Sequence, residues 1–236
     1  MRMKKRISDH RPAVAAQRRQ RMQARLVAAA FRLAAQGGVT ATTIDGVVTA
    51  AGVSRGTFYK YFETPDALLQ EVGHAVSDAL LQTMRPVVET LEDPAQRISV
   101  GARTVLRMVG RYPMLAGFLA RSGWPSVAVT PLFDSVVGAT LAEGIRRRRF
   151  AAMPAELAHS ALVGTLLGAI HASTRKKAPP ALAELTAEVI LRALGLPAKE
   201  ARAIASMPLP TDAIDFDPIV RKLIAGVPVS PAADPE

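Results

Sequence analysis

The stretch from Thr42 to Phe62, TTIDGVVTAAGVSRGTFYKYF, constrains the fold more than any other part of the chain. Ile44, Val47, Val48 and Ala51 recur at i, i+3, i+4 and i+7, which gathers four apolar side chains on one face of a short helix. Thr43 directly before them predicts an N-cap, and Gly52 directly after them suits a tight turn because it takes positive φ without strain. Val53 is expected to plug inward. Ser54 offers its hydroxyl to the N–H of Gly56 or Thr57 and so opens another helix. Phe58 and Phe62, one turn apart, anchor that helix. With both rings facing in, Arg55, Gly56, Thr57, Tyr59 and Lys60 must face out.

The same residues contain Gly52-Val53-Ser54-Arg55-Gly56, a literal G-x-S-x-G, the nucleophile elbow of serine hydrolases. An elbow needs a buried strand before the serine, and here the preceding residues have helical spacing. His74, His159 and His171 stand in no recognisable triad context. No catalytic residue is predicted, and the hydrolase reading is kept only as the enzymatic rival. The chain has no cysteine, and no His and carboxylate set has metal spacing, so no metal or cofactor is expected.

Elsewhere the pattern is helical and punctuated by proline, with low aromatic content and no sustained strand alternation. Residues 1–16 are expected to form a flexible basic arm. From Gln17, Met22, Leu26, Ala29, Ala30, Leu33 and Ala34 make an apolar stripe that Gly37-Gly38 should end. Thr64-Pro65 reads as N-cap and first helical residue. Helices are expected over 65–91, 95–110, 113–121, 131–150, 155–177 and 181–206. Beyond Met207 the sequence turns rich in Pro, Asp and Ala, with one apolar piece, FDPIVRKLIAGV, expected to dock before a disordered end. The fold class is therefore all-α: a three-helix unit over 17–63, a larger helical domain over 64–206 and an extension over 207–236. The longest apolar run is too short to span a bilayer, and a cytoplasmic protein is expected.

Residues 1–62 hold twelve of the 30 Lys/Arg and two of the 20 Asp/Glu, a balance that equals the whole chain's +10. All excess positive charge therefore sits on the segment with the helix-turn-helix spacing. That asymmetry points to a polyanion, nucleic acid first and an anionic membrane surface second. A short helix presenting Arg, Thr, Tyr and Lys can enter a major groove, where Arg55 could hold guanine O6 and N7. Thr57, Tyr59 and Lys60 are the other readout candidates; Thr43, Tyr59 and Tyr61 are candidates for backbone contact. Asp45 is read as a dipole partner in the first turn of its helix, and Arg146–Arg149 as a solvated cluster at a helix end.

The run AAFRLAAQGGVTATTIDGVVTAAGVSRGTFYKYF resembles the DNA-binding domain of TetR-family transcriptional regulators. The resemblance covers about residues 20–70, with AAGVS in the turn and GTFYKYF along the recognition helix. It implies a cytoplasmic homodimer that binds double-stranded DNA at a palindromic operator through Thr43, Ser54, Arg55, Gly56, Thr57, Tyr59, Lys60 and Tyr61, and not a membrane. It also implies a repressor released by a small, largely apolar effector. By the same analogy Met108, Met114, Leu115, Phe118, Trp124 and Phe133 line the effector pocket, although residues of this type at helical spacing also make ordinary core. Two positions depart from the family pattern: Pro65 replaces a common phosphate-binding lysine, and Gly46 replaces a frequent acidic residue. Ser160, Gly164, Gly168 and Ala172 recur every four residues as a small-residue ridge. With the following helix and its Val189, the resemblance implies a four-helix dimer interface; the alternative is a core helix of one subunit.

Overall fold

The computed structural model describes residues 11–37, 42–122, 130–175 and 179–209, which contain helices and turns and no strand. Helix α1 (Arg11–Gly37) starts six residues before Gln17, so residues 11–16 are not part of a loose arm. Periodicity missed this turn and a half because residues 14–20 face solvent and need no apolar stripe. Pro12 in the first turn and an Ala-rich continuation suit a helix start. Residues 1–10 of the expected arm lie outside the described residues, as does FDPIVRKLIAGV.

Helix α2 (Ile44–Ala51) and α3 (Arg55–Tyr59) pack beneath α1 through Leu26, Ala30, Val47, Val48, Phe58 and Phe62, all buried. Thr64 caps α4 (Pro65–Val88) by accepting the Ala67 N–H at 3.1 Å. One end of α4 lies against α1, with Leu68 and Val72 in the core, and the other reaches the second domain. Its 24 residues make it about 36 Å long.

The larger domain comprises α5 (Pro94–Arg111), α6 (Pro113–Ser122), α7 (Pro131–Phe133), α8 (Ala139–Arg146), α9 (Ala155–Ser173), α10 (Leu182–Ala193) and α11 (Ala198–Ala205). Helix α5 runs through its middle, against α8, α9, α10 and α11. The two domains meet where Phe31 of α1 sets its ring edge against Phe118 of α6, centroids 6.1 Å apart.

Three expectations are corrected here. The span 131–150 is not one helix: a π-helical turn, Asp134–Gly138, separates α7 from α8. The span 181–206 breaks at Gly195, whose φ of 100° puts the chain in the left-handed region, and Pro197 then precedes α11. A Cβ at Gly195 would come within 2.6 Å of Ala151 Cβ, so the break is also a close approach between segments. Finally, Arg146–Arg149 is not uniformly solvated. Arg146, Arg147 and Arg148 are exposed, Arg147 pairing with Glu143 one turn back at 2.9 Å, but Arg149 is half-buried between Asp93 and Glu200 at 2.8 and 2.6 Å. Short-range pattern reading could not reveal partners more than 50 residues away.

Candidate nucleic-acid interface and effector cavity

The turn between α2 and α3 is built as its residues dictate. Gly52 takes φ 62° and its N–H reaches Thr49 O at 3.1 Å, while Val53 N–H reaches Val48 O at 2.9 Å. Thr43 Oγ1 accepts the Gly46 N–H at 3.1 Å, and Ser54 Oγ accepts the Thr57 N–H at 3.1 Å. The Ser54 and Thr57 hydroxyls are also hydrogen bonded to each other, at 3.0 Å. Ser54 therefore starts a helix, and what precedes it is a helix and a turn, not the strand an elbow requires. The histidines of the rival triad lie on α4 and α9.

Phe58 and Phe62 are buried, ring centroids 6.0 Å apart. This turns Arg55, Gly56, Tyr59 and Lys60 to the outside, while Thr57 is half-buried by its bond to Ser54. Tyr59 is 54% exposed, and Phe58 supports it edge-on at 5.3 Å. Tyr61 is half-buried, with the Arg19 guanidinium 5.6 Å over its ring. Arg18 and Arg19 of α1 lie beside Lys60 and Tyr61, and with Val14, Ala15 and Ala16 of the α1 extension they line a basic groove at the far end of α3 from Arg55.

Sequence reasoning missed the partner of Arg55. Its Nε and Nη2 donate to the two carboxylate oxygens of Asp45, at 2.6 and 2.5 Å. The hydrogen bond from Arg55 holds the Asp45 carboxyl below the usual carboxylate range, and the guanidinium is raised in turn. Asp45 does lie in the first turn of α2, as expected, but its side chain reaches to α3 as well. The ten-residue separation carries no periodic signal.

A cavity lies between α4, α5, the α7–α8 segment and α9, with about 610 Å³ of empty space when its mouth is counted. Leu81, Met84, Val88, Val105, Phe133 and Leu162 belong to an almost wholly apolar wall, whose polar side chains are Arg85, Arg97 and Thr140. Arg97 is committed elsewhere, donating to Leu91 O and Glu143, each at 2.6 Å. Val136 and Val137 of the π-helical turn face the cavity. Of the six pocket residues expected from sequence, Phe133 lines this cavity. Met108, Leu115 and Phe118 are buried in the core. Trp124 and the Met114 side chain lie outside the described residues. Of the residues missed, five lie on α5 (Arg97, Ile98, Gly101, Ala102 and Val105) and four on α4 (Leu81, Met84, Arg85 and Val88), a helix that sequence reading did not search for a pocket.

On the outer face of α9 and α10, Leu157, Ser160, Gly164, Gly168, Leu185 and Val189 are exposed and Ala172 is half-buried. His171 is exposed on the same helix.

Comparison with known proteins decides the family. Residues 26–72 match the model of bacterial regulatory proteins of the tetR family, and residues 93–207 match the tetracyclin repressor-like C-terminal domain. The crystal structure of RolR with its ligand resorcinol superposes with a TM-score of 0.68 at 30% identity, covering 83% of this chain and 98% of RolR. The chain belongs to the TetR family. RolR without ligand superposes with a TM-score of 0.64, also at 30% identity, over 79% of this chain and 98% of that one. An uncharacterized HTH-type transcriptional regulator of Mycobacterium tuberculosis is 32% identical over 101 residues, which is 43% of this chain. The chain thus spans half the length of the curated relatives it matches. TetR-family regulators are ligand-responsive DNA-binding proteins, and among the described residues no helix is long and apolar enough to cross a membrane. Neither the hydrolase nor the membrane-surface reading finds support.

Proposed function

We propose that this protein is a repressor that holds a palindromic operator as a homodimer and releases it when a small, largely apolar ligand enters the cavity described above. The observation that carries the reading is the path of α4. Its first turns pack against α1 beside the reading head, and its later turns, at Leu81, Met84 and Val88, wall the cavity. A ligand that spreads this wall displaces the rod on which the reading head sits, and so favours one spacing of the paired heads over another. A second tie runs from α4 to the cavity roof: Thr130 Oγ1 donates to Asp78 Oδ1 at 2.5 Å and also caps α7 by accepting the Phe133 N–H at 3.0 Å.

The apolar wall favours an aromatic or otherwise hydrophobic effector. Because RolR carries resorcinol, single-ring phenols are the first compounds to try. Base readout falls to Arg55, Thr57, Tyr59 and Lys60, and backbone contact to Thr43, Tyr61 and the basic groove, which compensates for Pro65 at the start of α4. Duplexes selected from a random pool by the purified protein should share a palindrome, and resorcinol should release them. Gly101 offers a control, since a Cβ there meets nothing within 4 Å and the residue lines the cavity. Gly101→Phe should fill the cavity, keep DNA binding and abolish release. A pool without palindromic symmetry would refute the operator reading. Release of Gly101→Phe at the wild-type phenol concentration would refute the cavity's role.

A further inference from the structure

Asp45 is a costly residue to find where it stands. It is the only acidic residue described in the part of the chain that carries the net charge of +10, and it sits beside the helix that would face a polyanion. Its carboxylate repels phosphate, and its ion pair with Arg55 is too exposed to explain its presence by stability. The two side chains are 65% and 67% exposed, and ion pairs this exposed contribute little to stability. The geometry of the pair supplies a different reason.

A guanidinium has five N–H donors in a planar fork. Asp45 engages Arg55 from the side, through Nε and one N–H of Nη2. The three donors left over are the two of Nη1 and the second of Nη2. One from each nitrogen points forward along the side chain, and that forward pair has the spacing of guanine O6 and N7. The side-on grip fixes the plane of the fork while leaving its reading edge open. It also ties the start of α3 to the start of α2, whose N-cap Thr43 is itself set by its bond to Gly46.

We infer that Asp45 is a positioning residue for base readout: it clamps the Arg55 guanidinium so that its end-on donors meet one guanine in each half-site, and it trades general DNA affinity for discrimination. The inference rests on the reading role of α3 proposed above. It carries a signature that a bystander charge lacks, because removing Asp45 should move specific and non-specific binding in opposite directions. A freed Arg55 swings to any nearby phosphate, so affinity for arbitrary sequence rises while the ordered contact with guanine weakens.

The test uses the full-length protein and two duplexes: the best one recovered from a random pool by the wild type, and a scrambled duplex of equal length and composition. The ratio of the two dissociation constants is measured for the wild type, Asp45→Ala and Arg55→Ala, with circular dichroism melting to confirm that each is folded. Asp45→Ala should bind the scrambled duplex at least as tightly as the wild type and lose about tenfold in the ratio. Replacing guanine in the half-sites by 7-deazaguanine, which lacks the N7 acceptor, should weaken the wild type much more than Asp45→Ala. If Asp45→Ala raises both affinities by one factor while Arg55→Ala still lowers the ratio, Asp45 is merely a repulsive charge and the clamp is overturned with the readout intact. A ratio unaffected by Arg55→Ala overturns the readout by Arg55 and the clamp with it.

Discussion

At residue 144 a single methyl group has no room. Gly144 lies in α8, where alanine ordinarily favours a helix over glycine by about 1 kcal/mol. Yet a Cβ built there comes within 2.1 Å of the ring of Phe150, which is buried just beyond the helix end. The chain folds back over α8 because Arg149 and Phe150 N–H groups both reach Gly144 O, at 2.8 and 3.0 Å, and Arg148 takes a φ of 55°. A ring held by its neighbours cannot yield as a flexible side chain would. Gly144→Ala should therefore destabilise the protein by about 1–3 kcal/mol, reversing the sign that helix propensity alone gives, as read from urea unfolding midpoints. The contrast with Thr43, Ser54 and Gly52 shows what a sequence discloses at this scale. Those three act on partners within three or four residues, so their chemistry is written next to them. Gly144 and Asp45 act on side chains brought near by a fold-back or by a turn between helices, and pattern alone does not name the partner.

At the scale of elements, the segment after α8 is held by Arg149. Its Nε and Nη2 donate to the two oxygens of Asp93 at 2.9 and 2.8 Å, and Nη1 donates to Glu200 at 2.6 Å. Asp93 also caps α5, accepting the Ala95 N–H at 2.9 Å. One carboxylate thus joins the start of α5, the fold-back after α8 and, through Arg149, helix α11. Burial by itself would raise the Asp93 carboxyl; the hydrogen bonds from Arg149 and the Ala95 amide outweigh it, and the group titrates below the usual carboxylate range. A carboxyl depressed in the folded state stabilises it above the unfolded value of about 3.9, and that contribution fades as pH falls through the lower, folded value. Asp93→Asn should cost about 1–3 kcal/mol at pH 7. The gap between variant and wild type should close progressively below about pH 4, where the wild type protonates the same group. Unfolding curves at pH 7 and pH 3 check this, and an equal gap at both would contradict it. The helices themselves were largely legible, since α4, α5 and α6 begin at the prolines that punctuate the pattern. The π-helical turn and the break at Gly195 were not, because both answer to packing against other segments.

For the whole molecule, charge was a more faithful guide than hydrophobicity. The excess positive charge marked the reading head, whereas Met and Phe residues on α5 and α6 marked ordinary core as readily as a cavity wall. The ridge on α9 is informative for a physical reason. Gly164 and Gly168 are exposed beside Leu157, Leu185 and Val189, the last three 56%, 49% and 50% exposed. Glycine in an exposed helix interior costs about 1 kcal/mol per residue and gains nothing within one subunit. A Cβ at Gly168 meets nothing within 4 Å, so no contact inside the subunit requires its absence. Close approach of a second copy would require it, since small residues let helix backbones come within 8–10 Å and bury the leucine and valine side chains around them. Gly168→Leu separates the two explanations. Within one subunit the larger side chain has open space and better helix propensity, so the monomer should be as stable as the wild type or more so. Across a four-helix interface it forces the backbones apart, and the dimer dissociation constant should rise at least tenfold in sedimentation equilibrium. Affinity for a palindromic duplex should fall with it, while affinity for an isolated half-site is kept. A Gly168→Leu protein that stays dimeric at the wild-type concentration would move the interface off this ridge, and the spacing of the two reading heads would have to be set by another surface.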